Sequence, residues 1–356
     1  MTRAIVSLAW AAAFIGLAAW GAAVAGLEVA LPSVRAHLPP IPRPSMPMMA
    51  GGPRDQYTYV WAAGALESTS MYAPEALVLR VVRRVPDKQA VLELAERLGI
   101  RVTPEDRKRL PDKQEGELSP LGVYMCSLEE KNVDDQRLFD CKDVELWDSG
   151  CFSYLHRGGT PEPGSRNGPA PPDAPSPERA REIADRFIAD SGLLPEGCEF
   201  ERVRAAVTQN AEGLEIHYAN GARPRVLSRQ VVYTRQVDRI PLGDFSVEVN
   251  GNGEVYRVSR QIPNFAPLAR YPILSPDEAR RMIPRGLLAS HIWGPARAVI
   301  GRVSLSYSPA WSFSGVIQPA YTFSGTAHGR NGQTDSFSVM WPAVRPEHFE
   351  ADRPRP

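Results

Sequence analysis

The stretch Phe245-Ser246-Val247-Glu248-Val249-Asn250-Gly251-Asn252-Gly253-Glu254-Val255 decides how this chain folds. Phe245, Val247 and Val249 fall on one face of a strand, with Ser246 and Glu248 on the other. That period of two belongs to a half-buried antiparallel strand. Asn250 to Gly253 are residues that tolerate positive φ, so the chain turns there and Glu254–Arg260 returns as the partner strand. Upstream, strands are predicted at Phe200–Val207, Leu214–Tyr218 and Val231–Val237. Ahead of them Ser176-Pro177-Glu178 opens a helix, with a capping hydroxyl, Pro at the first helical position and an acid in the positive first turn. Ala180, Ile183, Ala184, Phe187 and Ile188 line one face of that helix, and Gly192 closes it.

The order then recurs. Ser275-Pro276-Asp277-Glu278-Ala279-Arg280 echoes Ser176-Pro177-Glu178-Arg179-Ala180-Arg181, and Pro284 makes the second helix kinked or short. Strands follow at Val303–Tyr307, Gln318–Gly325 and Ser336–Trp341. A helix over Asp87–Leu98 carries Val91, Leu94, Ala95 and Leu98 on one face, ends at Gly99, and is a candidate diverged third copy. Around it, strands are predicted at Tyr57–Ala62, Ala76–Val82, Gly122–Ser127, Val144–Trp147 and Cys151–His156. The expected class is therefore α+β: an N-terminal transmembrane helix, then antiparallel sheets each packed by a helix in repeated units.

Location is read from the first thirty residues. The run from Ala4 to Ala25 holds no charge and, at about 1.5 Å per residue, spans roughly 33 Å of bilayer. Arg3 precedes it and no further basic residue appears until Arg35, so the N-terminus is expected inside and the bulk of the chain outside the membrane. An uncleaved single-pass anchor and a signal peptide cut after Ala25, in the small-x-small context Ala23-Val24-Ala25, both remain open. The expected organisation is an anchor over 1–30, a Pro-rich stalk over 31–54, an α+β domain over 55–157, a Pro/Gly-rich linker over 158–175, one helix–sheet unit over 176–270, a second over 271–345 and a disordered tail over 346–356.

Composition narrows function by exclusion. With 41 basic and 41 acidic residues the net charge is zero, so no electrostatic footprint for nucleic acid exists. The six histidines show no metal-ligand spacing and there is no HExxH. No GxSxG elbow or Gly-rich phosphate loop is present. No catalytic, cofactor or metal site is therefore predicted. Four cysteines in an exported chain make disulfides plausible. Cys126 and Cys141, on either side of a polar loop, are the favoured pair, with Cys151 and Cys198 less favoured and buried free thiols the competing reading. Tyr307, Trp311, Phe313, Tyr321, Phe323, Phe337 and Trp341 cluster late in the chain. They read either as sheet core or, through Trp311, Phe313, Tyr321 and Trp341, as a surface that docks a partner.

The helix Ser176–Ser191, the strand Val231–Val237 and the 245–255 hairpin together resemble a PepSY-type unit. Val303–Tyr307 followed by Gln318–Phe323 is similar to the closing strands of YycH/YycI-type proteins, which carry one N-terminal anchor and an extracytoplasmic body. The resemblance implies a non-enzymatic regulator that binds a membrane or envelope protein, either a sensor histidine kinase of a two-component system or a protease. An envelope hydrolase or carbohydrate-binding protein is the alternative, with acids among Asp238, Asp244 and Glu248 as a pair facing across a cleft.

Overall fold

The computed structural model describes residues 38, 40–42, 57–65, 73–109, 125–130, 142–160, 172–209, 215–216, 225–285, 287–290, 296–307, 315–330 and 332–350. Among them the chain runs β1 (Tyr57–Trp61), β2 (Glu75–Val81), α1 (Lys88–Arg97), α2 (Pro104–Arg109), β3 (Met125–Glu130), β4 (Lys142–Trp147), β5 (Phe152–His156), α3 (Pro177–Ser191), β6 (Cys198–Gln209) and β7 (Glu215–Ile216). It continues through β8 (Arg225–Val237), β9 (Ile240–Asn250), β10 (Val255–Arg260), β11 (Phe265–Pro272), α4 (Pro276–Arg281), β12 (Leu287–Ser290), β13 (Ala296–Tyr307), β14 (Val316–Ile317), β15 (Pro319–Gly329) and β16 (Thr334–Pro342). Every one of these elements lies in the unit that begins at Pro39.

The decisive hairpin forms at the centre of an eight-stranded antiparallel sheet of order β3-β4-β5-β10-β9-β8-β6-β7. Asn250 makes the turn: its side-chain oxygen accepts from the backbone N–H of Asn252 and of Glu254, each at 3.0 Å, and Gly253 takes φ +80°. Phe245, Val247 and Val249 are fully buried on the apolar face. There Phe245 stands edge-on to Phe152 and to Tyr233, and Tyr233 to Phe200. The sheet draws three strands from before the Pro/Gly-rich segment and five from after it. A second sheet has the order β1-β13-β15-β16-β12, with β1 and β13 parallel, and a third has the order β11-β2-β14.

The expected α+β class, with each sheet packed by its own helix in repeated units, does not hold: the fold is mostly β, with three sheets and few helices. The physical reason lies in the second repeat. Ser275 builds a complete capping box with Glu278, yet the helix lasts six residues before Ile283–Arg285 tightens into a 3₁₀ turn around Pro284. Among the described residues the five-stranded sheet thus receives no long helix. Both longer helices pack on the eight-stranded sheet instead, α3 against β6, β8, β9 and β10 and α1 against β3 and β4. Among the described residues no helix is long and apolar enough to cross a membrane, and the run from Ala4 to Ala25 lies outside them.

Other parts follow local chemistry. Asp87 caps α1 by accepting from Ala90 N–H at 2.8 Å, and Ser176 caps α3, which ends at Gly192 in the left-handed region. Ile41, within the expected stalk, is 1% exposed. Its N–H donates to His348 O at 2.9 Å, its carbonyl accepts from Glu350 N–H at 3.0 Å, and the His348 ring stands edge-on to buried Tyr271. Residue 41 is therefore paired through its backbone with 348–350, and the His348 ring ties that pair to the body at Tyr271.

Two predictions arise here. The β8–β9 turn puts Asp238 and Arg239 at φ 52° and 65°, the two-residue type I′ geometry that glycine adopts freely and arginine does not. Arg239→Gly is expected to raise stability by about 1 kcal/mol, read as a higher urea midpoint at unchanged slope. The Glu278 carboxylate accepts from Ser275 N–H at 2.7 Å and meets Arg345 Nη2 at 3.0 Å; the backbone hydrogen bond, aided by Arg345, holds its pKa below the usual value. A folded-state pKa below the unfolded one gives stability that is present above about pH 4.3 and is lost as pH falls through the folded value. Glu278→Gln is accordingly expected to flatten the acid limb of the stability curve below about pH 4. An unchanged acid limb would contradict this.

Candidate functional site

A cleft of about 540 Å³ opens between α1 and one end of the eight-stranded sheet. Its shape follows from how the turn after β4 is held. Asp148-Ser149-Gly150 reverses the chain with Gly150 at φ +81°. Asp148 is buried and accepts from Arg83 Nη1 at 3.2 Å, while its carbonyl accepts from Arg84 N–H at 2.8 Å. Ser149 O accepts from Asn264 N–H at 2.6 Å, and Asn264 O accepts from Val82 N–H at 2.8 Å. The exits of β2, β4 and β10 are thereby tied together, and α1 starts from this knot at Asp87.

The opposite wall is closed from α1's other end. Arg97 Nε donates to Ser191 O at 2.8 Å and Nη2 donates to Gly192 O, so a cation sits on the C-terminal carbonyls of α3. Leu193, just past them, lines the cleft. Arg260, at the end of β10, sits opposite Phe152 on one side and Phe245 on the other. Its Nε donates to Ile262 O and its Nη2 to Asn264 Oδ1, both at 2.9 Å.

The lining is mixed. Val85, Pro86, Leu94, Leu146, Trp147, Phe152 and Leu193 supply apolar surface. Arg84, Arg97 and Arg260 face Asp87, Glu93 and Asp148, three cations to three anions. The acids are engaged locally: Asp148 with Arg83, Asp87 as the α1 cap, and Glu93 as acceptor from Gln89 at 2.9 Å. Among the described residues Arg260 has only neutral oxygens for hydrogen-bond partners, and burial lowers its pKa from the ordinary value. It remains charged, since a guanidinium does not give up its proton in proteins. Cys151 and Cys198, each near enough to Arg260 to feel its charge, are free and half-buried, and burial pushes both thiols up. They are thiols rather than nucleophilic thiolates at neutral pH.

The residues singled out from sequence lie elsewhere. Tyr321 is fully buried and donates its hydroxyl to Leu274 O at 2.8 Å, so it belongs to the core and offers no surface. Trp341 is half-buried directly across from it. Trp311 and Phe313 fall outside the described residues, as does Cys141, while the backbone register sets Cys126 opposite Leu146. Asp238 pairs with Arg270 at 3.0 Å, Asp244 accepts from Thr234 Oγ1 at 3.1 Å, and Glu248 accepts from Tyr256 OH at 2.6 Å. Asp244 and Glu248 share one strand four residues apart, so they do not face each other across a cleft. Among the described residues no three His, Cys, Asp or Glu converge as a metal requires. The cleft arginines escaped sequence reasoning because each closes or follows a regular element with no periodicity of its own.

Glu248 belongs to a buried network with a structural role. Tyr256 OH lies 3.1 Å from Ser228 Oγ, and Ser228 Oγ accepts from Val207 N–H, where the register between β6 and β8 shifts on both sides of Val207. Burial and the Glu248 charge push the Tyr256 hydroxyl far above its ordinary pKa, so it stays a donor. Tyr256→Phe removes that donor from a buried carboxylate and is expected to cost about 1–3 kcal/mol in denaturant unfolding.

No protein-family model matches this chain, and no curated protein matches it. Among solved structures, an uncharacterized protein from Eubacterium rectale aligns over 84% of this chain and 92% of its own, at 10% identity and a TM-score of 0.41. The C-terminal domain of YpeB from Bacillus megaterium aligns over 75% of this chain and 96% of its own, at 11% identity and a TM-score of 0.22. Likenesses of that size assign neither family nor activity.

Proposed function

We propose that this chain is an extracytoplasmic, membrane-anchored binding module that regulates a neighbouring membrane or envelope protein, and that it acts by holding rather than by transforming. The observation that carries this reading is the cleft. It joins apolar walls to a guanidinium that has no carboxylate partner among the described residues, while its acids are engaged in the fold and the adjacent thiols are protonated. The uncharged run from Ala4 to Ala25 supports the location. The resemblance to YycH/YycI-type regulators supports the class of partner, a sensor histidine kinase or an envelope protease. An anchor would raise the module's effective concentration beside such a partner without a strong interface.

The test is a photo-crosslinking residue at Val85, which is 45% exposed and lines the cleft. With the full chain expressed in bacterial membranes, a covalent adduct with one membrane or envelope protein is expected. Recovery of no such protein would overturn the reading, as would turnover of a cell-wall glycan by the purified chain.

A further inference from the structure

We propose that the cleft takes a monocarboxylate carried on an apolar body, with Arg260 as the anchor for the carboxylate. This rests on the reading of the chain as a binding module and names what the recess holds. A guanidinium presents five N–H donors in a planar fork. Arg260 uses Nε on Ile262 O and Nη2 on Asn264 Oδ1, and among the described residues Nη1 has no bond and no carboxylate pairs with the group. Half-burying a cation against neutral oxygens costs solvation that an ion pair would return. Among the described residues Arg97 likewise meets only carbonyl oxygens and Arg84 meets Asp87 at 3.9 Å, but both are exposed, so Arg260 is the half-buried cation of the three.

The surroundings select the rest of the ligand. Trp147, Phe152, Leu94, Leu146 and Leu193 give the apolar wall. A volume of about 540 Å³ suits a small molecule or a chain end of a few residues. Charge selects a single negative group. With Asp148 paired to Arg83, the three arginines Arg84, Arg97 and Arg260 exceed Asp87 and Glu93 by one charge, so one carboxylate brings the site to about zero, whereas a dianion would leave about −1. Arg84 stands with its side chain 86% exposed and, among the described residues, a 3.9 Å contact to Asp87 as its one ion pair, so it can turn toward an arriving anion. A competing account makes Arg260 a staple for the chain leaving β10. That role uses Nε and Nη2 alone and gives no preference between an acid and its amide.

The experiment exploits that difference. Titration calorimetry on the full chain would compare 3-phenylpropanoate with its amide, and acetyl-Leu-Phe bearing a free C-terminal carboxylate with the same peptide amidated. In at least one pair the acid is expected to bind about tenfold tighter than the amide, and Arg260→Gln is expected to abolish that advantage. Arg84→Gln should weaken the acid a few-fold and leave the amide unchanged. The pair that shows the preference separates a free metabolite from a protein C-terminus as the source. Equal binding of acid and amide, no binding of either acid at millimolar concentration, or retention of the preference in Arg260→Gln would each overturn the proposal. Should Arg260→Gln fail to fold, the acid–amide comparison in the unaltered chain and the Arg84→Gln titration decide it alone. A crosslinked partner together with absent acid preference would remove the ligand class and leave the binding-module reading standing.

Discussion

Gly325→Ala is expected to unfold the five-stranded sheet or to cost it more than about 3 kcal/mol. Gly325 lies in the middle of β15, across from Ile300 of β13, where the register slips by one residue at Gly301. A methyl group on Gly325 would land on the carbonyl oxygen of Val299, far inside contact distance, and within 3.0 Å of the Gly301 nitrogen. Both obstacles are backbone, so no rotamer change relieves them. The strands would have to part where Val303, Phe323 and Val339 are buried side by side. Glycine inside a strand marks such a close approach of another backbone. Gly301→Ala is the control: its added methyl meets nothing within 4 Å, and a small effect is expected. Thermal and urea unfolding followed by circular dichroism would read both. Equal stability of the Gly325 variant and the parent would show that the two strands are not apposed in this register.

Much of the local structure was legible because local chemistry dictates it. Asp87, Ser176 and Ser275 are helix caps whose acceptors lie within three residues of the N–H groups they bind. The 245–255 hairpin is equally self-contained. What sequence could not convey is pairing at a distance. β1 runs parallel to β13, whose first partner residue is Ala296 against Tyr57, and no short-range pattern encodes that match. β11 carries no strand signal in the sequence, because Pro267 and Pro272 argue against a strand; it survives as the edge of its sheet, with a register shift beside Pro267. The repeated-unit picture failed at Pro284, where an intact cap begins a helix that cannot continue.

The cleft is the extreme case of distant assembly. Its wall is gathered from 84–97, 146–152, Leu193, Arg260 and Asn264, and no two of those segments form a motif. Tyr321 illustrates an ambiguity of the sequence: it reads either as sheet core or as docking surface, and its ring lies in the core while its hydroxyl satisfies a buried carbonyl. Alternation tells which residues share a face and does not tell which face a second sheet will cover.

Phe245→Ala is expected to cost about 3–5 kcal/mol, the range for emptying a fully buried aromatic site. The neighbours cannot collapse into the space. Phe152 and Tyr233 each lie with ring centroids 6.3 Å away, and the Tyr233 hydroxyl is held by Asp185 of α3 at 2.5 Å. Phe152 and Tyr233 belong to strands on either side of the Pro/Gly-rich segment, so Phe245 joins the 142–156 hairpin to the strands that follow α3. If the eight-stranded sheet unfolds as one unit, the loss must be felt on both sides. Amide exchange in β4 and β5 should then accelerate with that in β8 and β9, and transitions seen by different probes should coincide. Phe245→Leu, which keeps most of the volume, should lose much less and restore protection in both regions together. Protection lost only in β8 and β9, with β4 and β5 unaffected, would mean that the two halves are stable apart. Because Phe152 also walls the cleft, that outcome would further predict an unaltered acid preference in the alanine variant, whereas a single cooperative sheet predicts that the preference weakens with it.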